Sequence, residues 1–132
     1  MQIEFQKAMQ QLVVNQTLNL KEISKFSAVD FRLGIQWLVT EEQPDLAQAL
    51  AEAGLALFPM SEDILAISGL LAMTREDWPL AIELLQDLFS LQKDRVQPMT
   101  CQMLARALAC NLDIAEAHQV LDQAMKLWPN NP

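Results

Sequence analysis

Apolar residues recur along this chain at spacings of three and four, which is the period of one helix face and not that of a β-strand. Gln, Glu and Asp separate the apolar positions, and short turn-like stretches interrupt the pattern. The periodic stretches predict six helices after residue 26, arranged as three consecutive pairs. We expect these helices near 28–41 and 45–57, 62–74 and 78–92, and 98–110 and 114–127.

Residues at the ends of these stretches support the boundaries. Ser27 and Ser61 are suited to cap the first and third helices, because a serine hydroxyl accepts a hydrogen bond from a free N–H of the first turn. Pro98 fits the first turn of the fifth helix, where no N–H is needed. Pro59 and Pro129 each mark the end of a second helix, since proline cannot continue one.

The second helix of each pair carries the same triplet of small or apolar residues, spaced by four and then three. The triplets are Ala47, Ala51 and Gly54, then Ala81, Leu85 and Leu88, then Ala117, Leu121 and Ala124. They are displaced from one another by 34 and 36 residues, and the link KDRVQ at 93–97 accounts for the longer interval. A period of this length indicates a repeated helix pair, in which each pair covers the apolar face of its neighbour.

The segment before the repeats, residues 1–26, places Phe5, Met9 and Leu12 on one helical stripe among polar Gln and Lys. It predicts one or two amphipathic helices. Two roles are open for this N-terminal amphipathic segment: a cap that covers the first pair, or an arm that docks on another chain. Residues 27–132 would then form the repeat domain.

The composition agrees with an all-α chain. Of its 132 residues, 52% are hydrophobic, only three are Gly and none is Tyr, and no Asn-Gly or Asp-Gly hairpin signal is present. The net charge of −8 argues against nucleic acid or an anionic membrane as a partner and favours a basic protein segment. No apolar run approaches the roughly 20 residues of a membrane span, so we expect no membrane insertion.

The two cysteines also bear on the compartment. Cys101 and Cys110 lie on one predicted helix, where a rise of about 1.5 Å per residue separates them by roughly 13 Å. A disulfide requires Cα atoms within about 7 Å, so these two cannot pair with each other. Free thiols are typical of a reducing cytoplasm, which is where we expect the protein to be.

The middle pair, EDILAISGLLAMTREDWPLAIELLQDLFSLQ, resembles the tetratricopeptide repeat. Gly69 falls where that family has a small residue between its two helices, Trp78 where it has an aromatic after the turn, and Ala81 on its early small residue. The resemblance implies an all-α fold of antiparallel helix pairs, stacked as about three repeats in a right-handed superhelix. A helical bundle with a chance period, or another helical-pair repeat, is the alternative. The repeats would span about 28–59, 62–93 and 98–129.

Two details of this comparison concern single residues. Gly34 stands one place early relative to Gly69, which predicts that the first helix is shifted in register. Trp78, with Asp77 as the cap of the helix that it begins, is expected to turn inward and to pack between the paired helices.

In the tetratricopeptide family the first helix of each pair lines a concave face, and the resemblance implies the same groove here. The groove mixes Met and Leu with two arginines, which suits an amphipathic helix or an apolar peptide. The alternative is that the Met residues fill the core. The carboxylate clamp of some co-chaperones in the family is not expected, because Ile67, Met99 and Met103 replace its polar residues. By position the groove residues are Arg32, Gln36, Val39, Ala66, Leu70, Met73, Met99, Gln102, Met103 and Arg106, with Asp63 and Ala109 beside them.

Residues that would carry chemistry are sparse. The single histidine, His118, has no Cys or acidic cluster at ligand spacing, and no glycine-rich phosphate loop is present. Adjacent acidic residues such as Glu62 and Asp63 stand at a helix start, where negative charge complements the helix dipole. We therefore expect no catalytic residues, no metal and no cofactor, and we predict that the protein is not an enzyme.

The sequence thus predicts a protein–protein interaction module that binds a helical or apolar segment of a partner protein. Small acidic proteins built from about three such repeats include chaperones and accessory proteins of bacterial type III secretion systems. The segments WLVTEEQPDLAQALAEAGLALFP and GLLAMTREDWPLAIELL are similar to the repeats of those proteins. The alternative is a structural or assembly protein that forms a homo-oligomer through its terminal helices, since the last helix carries Val120, Leu121, Ala124 and Leu127.

Overall fold

The computed structural model describes residues 3–127, and every regular element in that range is helical. The prediction of an all-α fold is confirmed. The helices are α1 (Ile3–Asn15), α2 (Leu20–Ile23), α3 (Ala28–Thr40), α4 (Pro44–Leu57), α5 (Glu62–Thr74), α6 (Trp78–Gln92), α7 (Pro98–Cys110) and α8 (Ile114–Leu127). The six predicted helices correspond to α3 to α8 with bounds that differ by at most one residue. The predicted helix end at Pro129 lies outside the described residues.

Side chains at the helix starts explain why these bounds could be predicted. Ser27 and Asp30 form a reciprocal capping box, with the Asp30 N–H donating to Ser27 Oγ at 3.2 Å and the Ser27 N–H donating to Asp30 Oδ2 at 3.3 Å. Ser61 Oγ accepts from the Ile64 N–H at 3.3 Å. Asp77 Oδ1 accepts from the Leu80 N–H at 3.3 Å. The predicted caps at Ser27, Ser61 and Asp77 are therefore confirmed.

The turns between paired helices share one backbone conformation that their residue types did not predict. In each turn one residue has a positive φ, which L-residues other than Asn or Asp rarely adopt. These residues are Glu42 (φ 57°), Glu76 (φ 58°) and Leu112 (φ 67°). In each turn the following N–H donates to a carbonyl five residues back, in the pattern of a Schellman motif. The bonds are Gln43 to Leu38 (2.8 Å), Asp77 to Ala72 (2.9 Å) and Asp113 to Leu108 (2.8 Å).

The positions of these turns establish the register of the helix pairs. Glu42, Glu76 and Leu112 are displaced by 34 and 36 residues, which are the intervals of the triplets in the second helices. Helices α3 and α5 also begin 34 residues apart. The predicted register shift of the first helix at Gly34 is therefore wrong. Gly34 is small for another reason, which lies in its contact with α1.

The chain divides into two compact units, Met1–Ser68 and Gly69–Pro132, and the division falls within α5. In the first unit, α1 packs on α3, and α3 pairs with α4. The aromatic rings form the centre of this core. Phe5 meets Phe26 edge to face at 4.8 Å between centroids, and Phe31 meets Phe58 in the same way at 5.6 Å. Phe5 and Phe31 are completely buried, so α1 is an integral layer of the unit.

Two glycines allow the close helix contacts of the first unit. A Cβ on Gly34 would lie 2.7 Å from Phe5 Cε1 of α1 and 3.1 Å from Leu50 Cδ2 of α4. A Cβ on Gly54 of α4 would lie 3.2 Å from Phe31 Cδ2 and 3.3 Å from Ile64 Cδ1, so α4 packs against both α3 and the start of α5. The second helix of the first pair thus already contacts the first helix of the next.

In the second unit, α7 packs against both α6 and α8. Gly69 lies against α6, and a Cβ there would be 3.0 Å from Leu85 Cδ2, which confirms its predicted role as a small residue between paired helices. The buried Gln92 organises the link to α7 as an acceptor. Its Oε1 receives the Thr100 hydroxyl at 2.9 Å and the Gln97 N–H at 3.2 Å. The side chain of Gln92 thus holds the N-cap residue Gln97 and the Thr100 side chain at the start of α7, where Gln97 itself makes no side-chain capping bond.

Trp78 is the first residue of α6, as predicted, but it is only half-buried. Ala81, one turn further along, is completely buried, and Gly69 of α5 lies against Leu85 of α6. The small residues of this pair are therefore more deeply buried than the indole.

The Gly34→Ala variant should be destabilised by about 1–2 kcal/mol, since the added methyl overlaps a buried ring while helix propensity returns only about 1 kcal/mol. Gly69→Ala is the matched comparison, because a Cβ there would lie 3.0 Å from its nearest neighbour, Leu85 Cδ2, which is a longer approach. We expect that variant to lose less stability than Gly34→Ala, since a smaller shift relieves its contact. Urea unfolding followed by circular dichroism measures both. Equal stability of the two variants would contradict the role given to the Phe5 contact.

The Glu76→Gly variant should be more stable than the wild type by about 1 kcal/mol, because glycine adopts a positive φ without the steric cost that a side chain carries. Glu83→Gly, at an exposed position inside α6, should be less stable by about 1 kcal/mol. Thermal unfolding compares the two. A destabilised Glu76→Gly variant would show that the carboxylate itself holds the turn.

Candidate functional site

The predicted groove residues lie on α3, α5 and α7, and they differ in exposure. In the first unit, Gln36 and Val39 are exposed, while Arg32 and Ala66 are half-buried. In the second unit, Leu70, Met99, Gln102 and Arg106 are exposed and Met103 is half-buried. Met73 is buried, with 9% of its surface accessible, so it has little area to offer a partner.

Equivalent positions on the three first helices share their exposure. With the intervals of 34 and 36 residues, Gln36 corresponds to Leu70 and Arg106, and all three are exposed. Leu33 corresponds to Ile67 and Met103, and all three are half-buried. The same face of each first helix is therefore uncovered within its own unit. Large apolar side chains lie on these uncovered faces, including Val39 (50% exposed), Leu70 (46%) and Met99 (68%).

An ion pair joins two first helices within the first unit. Arg32 Nε of α3 lies 3.6 Å from Asp63 Oδ1 of α5, and the two side chains are 33% and 50% exposed. A pair this accessible to solvent contributes about 0–1 kcal/mol. The Arg32 Nε atom is itself buried and forms no hydrogen bond among the described residues, so the pair is a charge contact between α3 and α5 and not a hydrogen bond.

A cavity of about 350 Å³ lies between α7 and α8 in the second unit. Among the described residues that line it, most are apolar, one carries a guanidinium and one an imidazole, and none carries a carboxylate or a thiol. We name it the α7–α8 groove. Its lining residues are Gln102, Ala105, Arg106, Ala109, Ile114, Ala117, His118 and Leu121. Such a surface can hold an apolar side chain and one negative charge, but it has no pair of groups for proton transfer.

Helix α8 has a strong apolar stripe that its own chain covers only in part. Ala117 is its one buried residue among those described. Ile114 is 50% exposed, Leu121 43%, Met125 69% and Leu127 41%. The sequence indicated apolar residues on this helix, and the resemblance implied Gln102 and Arg106 of α7 as groove residues, but neither identified Ile114. A comparison of each position of α8 with its equivalents in α4 and α6 would have identified it.

The two thiols occupy different surroundings on α7. Cys101 is completely buried and Cys110 is exposed, and both are free. Desolvation raises the pKa of the Cys101 thiol above its ordinary value, because burial disfavours the thiolate. Cys101 is thus a core residue, and the reactivity of its thiol is suppressed.

Within residues 3–127, no group of three or more His, Cys, Asp or Glu side chains is arranged to hold a metal ion. No helix in the same range is long and apolar enough to cross a membrane. A scan of the chain against protein-family models finds no match, and a search of curated protein sequences finds no significant relative. Function is therefore inferred from the residues themselves.

A thiol reagent such as Ellman's reagent should modify one cysteine of the folded protein rapidly and the other only as the protein unfolds. We expect Cys110 to react first, because it is exposed, and Cys101 to be protected by burial and by its raised pKa. Cys110→Ser is the control and should abolish the fast phase. Two fast thiols in the wild type would show that the core around Cys101 opens readily.

Proposed function

We propose that this chain is a non-enzymatic protein-interaction module of the tetratricopeptide-like class, which binds an amphipathic helix or an apolar peptide of a partner protein. The observation that carries the proposal is the shared exposure of equivalent positions on α3, α5 and α7. A face that is left uncovered on every first helix, and that carries Val39, Leu70 and Met99, is what a peptide-binding repeat requires.

The repeated hairpin supports the class. The three turns have the same positive φ and the same hydrogen bond, at the intervals of the sequence repeat. In the first unit Gly54 of α4 lies between Phe31 of α3 and Ile64 of α5, so the next helix packs against the preceding pair. Continued along the chain, this packing rule would generate the superhelix that we propose, with the first helices along its concave side.

The chemistry of these faces favours an apolar ligand over a charged terminus. Fully burying one exposed Leu or Met side chain contributes about 1.5–3 kcal/mol, so a few such contacts suffice for a useful affinity. Methionine adapts to neighbours of different shape because its side chain is unbranched and flexible. Arg106 is the exposed cation of the second unit's face, and Arg32 is already engaged by Asp63 in the first.

A narrower form of the proposal is a cytoplasmic chaperone or accessory protein of a bacterial type III secretion system. In that role the module would cover the amphipathic helix of a secreted subunit and prevent its aggregation. The acidic charge of −8, the short chain and the three helix pairs support this form. Co-expression with secreted and needle subunits of a type III secretion system would test it, and a soluble complex with one of them is the expected result.

The module proposal is tested by a variant that places two charges on the apolar faces, Leu70→Asp with Met99→Asp. Both side chains are exposed, so folding should be retained while partner binding falls about tenfold or more. Partners are captured on the immobilised wild-type chain, identified by mass spectrometry and retested as purified proteins by calorimetry. Hydrogen exchange then locates the bound segment, which should be helical.

The matched control carries two new charges elsewhere, Gln86→Asp with Gln119→Asp, at exposed positions of α6 and α8. It should bind the partner as the wild type does. If the Leu70/Met99 variant also binds unchanged, or if both double variants lose binding equally, the proposed faces are not the binding surface.

A further inference from the structure

One position of the repeat is buried in α4 and α6 but exposed in α8. The middle residue of the second-helix triplet is Ala51 in α4, Leu85 in α6 and Leu121 in α8. Ala51 is 2% exposed and Leu85 is completely buried, whereas Leu121 is 43% exposed. The sequence thus keeps an apolar side chain at a position that is covered in the other two pairs and uncovered in the third. Ile114, at the start of α8, is uncovered beside it.

The first unit shows what covers the equivalent surface of α3 and α4. The cover is a helix, α5, whose Ile64 packs onto Gly54 of α4. The position of Gly54 corresponds to Ala124 in α8, which is half-buried and again small. The same helix places Asp63 beside Arg32 of α3. A covering helix therefore brings one apolar side chain to the second helix of the pair and one carboxylate to the first.

The α7–α8 groove offers the matching charge. The position of Arg32 corresponds to Gln102, and the cation has moved one helical turn along α7 to Arg106. Arg106 lines the groove with His118, and no carboxylate lies among the lining residues. A guanidinium at the edge of an apolar groove is complemented by an acidic side chain on the occupant.

We propose that the α7–α8 groove is a second docking site, which receives an amphipathic helix of a partner protein in the way that α3 and α4 receive α5. The occupant carries a branched apolar residue that packs over Leu121 and Ala124. It also carries a carboxylate that pairs with Arg106. This carboxylate lies one helical turn beyond the position that Asp63 has in α5. This site shares Arg106 with the α7 face of the proposed function, but its central residue, Leu121, lies on α8 and belongs to none of those faces.

The first unit supplies the sequence of a probe. The peptide SEDILAISGLLAMT, residues 61–74, contains Ile64 and Asp63, and its Ile67→Glu form places a carboxylate opposite Arg106. Fluorescence anisotropy of the labelled Ile67→Glu peptide, titrated with the whole chain, should show saturable binding below about 1 mM. Leu121→Asp should weaken that binding about tenfold or more, because a charge then lies where the apolar contact forms.

Charge exchange tests the polar half of the proposal. The Ile67→Lys peptide should bind the wild-type chain more weakly than the Ile67→Glu peptide, and Arg106→Glu should reverse that order. A reversal requires direct pairing, because loss of folding would weaken both peptides together. Gln123→Asp, on the polar side of α8, is the matched control and should leave both affinities unchanged.

Three results of the peptide titrations would overturn the proposal. They are the absence of saturable binding, equal binding to the Leu121→Asp chain, and a peptide order that Arg106→Glu leaves unchanged. Sedimentation velocity addresses the other occupant: a wild-type dimer that Leu121→Asp converts to a monomer would assign the groove to a second copy of the chain and would also overturn the proposal. Because Leu70→Asp with Met99→Asp leaves Leu121 and Arg106 intact, failure here is distinguishable from failure of the proposed function.

Discussion

The close approach of helices at small residues is the constraint on which the rest of the structure depends. Gly34, Gly54 and Gly69 each lie where a methyl group would meet a neighbouring side chain at 2.7–3.2 Å. Since none of these glycines has a positive φ, they are selected for volume and not for backbone freedom. The completely buried Ala47 and Ala81 extend the same principle to the second helices. These contacts also determine which helix faces remain exposed, since a helix that packs closely against a neighbour on one side exposes its opposite side to solvent.

The sequence predicts most of the fold because helix boundaries are determined locally. Ser27, Ser61 and Asp77 cap helices through hydrogen bonds to residues three positions away, so the information lies in a short window. The turn conformation was not predictable in this way. Glycine is the usual sign of a positive φ, and Glu42, Glu76 and Leu112 occupy that conformation without it. The steric cost of the positive φ is offset by the hydrogen bonds that close these turns, in which Gln43, Asp77 and Asp113 donate to carbonyls five residues back.

The candidate site was less predictable, because exposure depends on which helices lie above a surface. The resemblance to the tetratricopeptide repeat implied the face that contains Gln36, Leu70 and Arg106, but it did not distinguish Met73, which is buried, from Val39 at the equivalent position, which is exposed. Gly34 is a similar case. Its contact with Phe5 comes from a helix outside the repeat, so a comparison among repeats assigned it to a register error. Contacts between distant parts of the chain cannot be predicted from a single short window of sequence.

The contact between α1 and α3 has a consequence for the order of folding. Each hairpin is closed by a turn of a few residues, whereas Phe5 must find Gly34 across an intervening chain that includes α2. Short loops close on a timescale of about 10–100 ns, and distant contacts follow once their partners exist. The groove that Phe5 fills is completed only when α3 has paired with α4. Although α1 precedes α3 and α4 in the chain, we expect it to dock only after those two helices have paired.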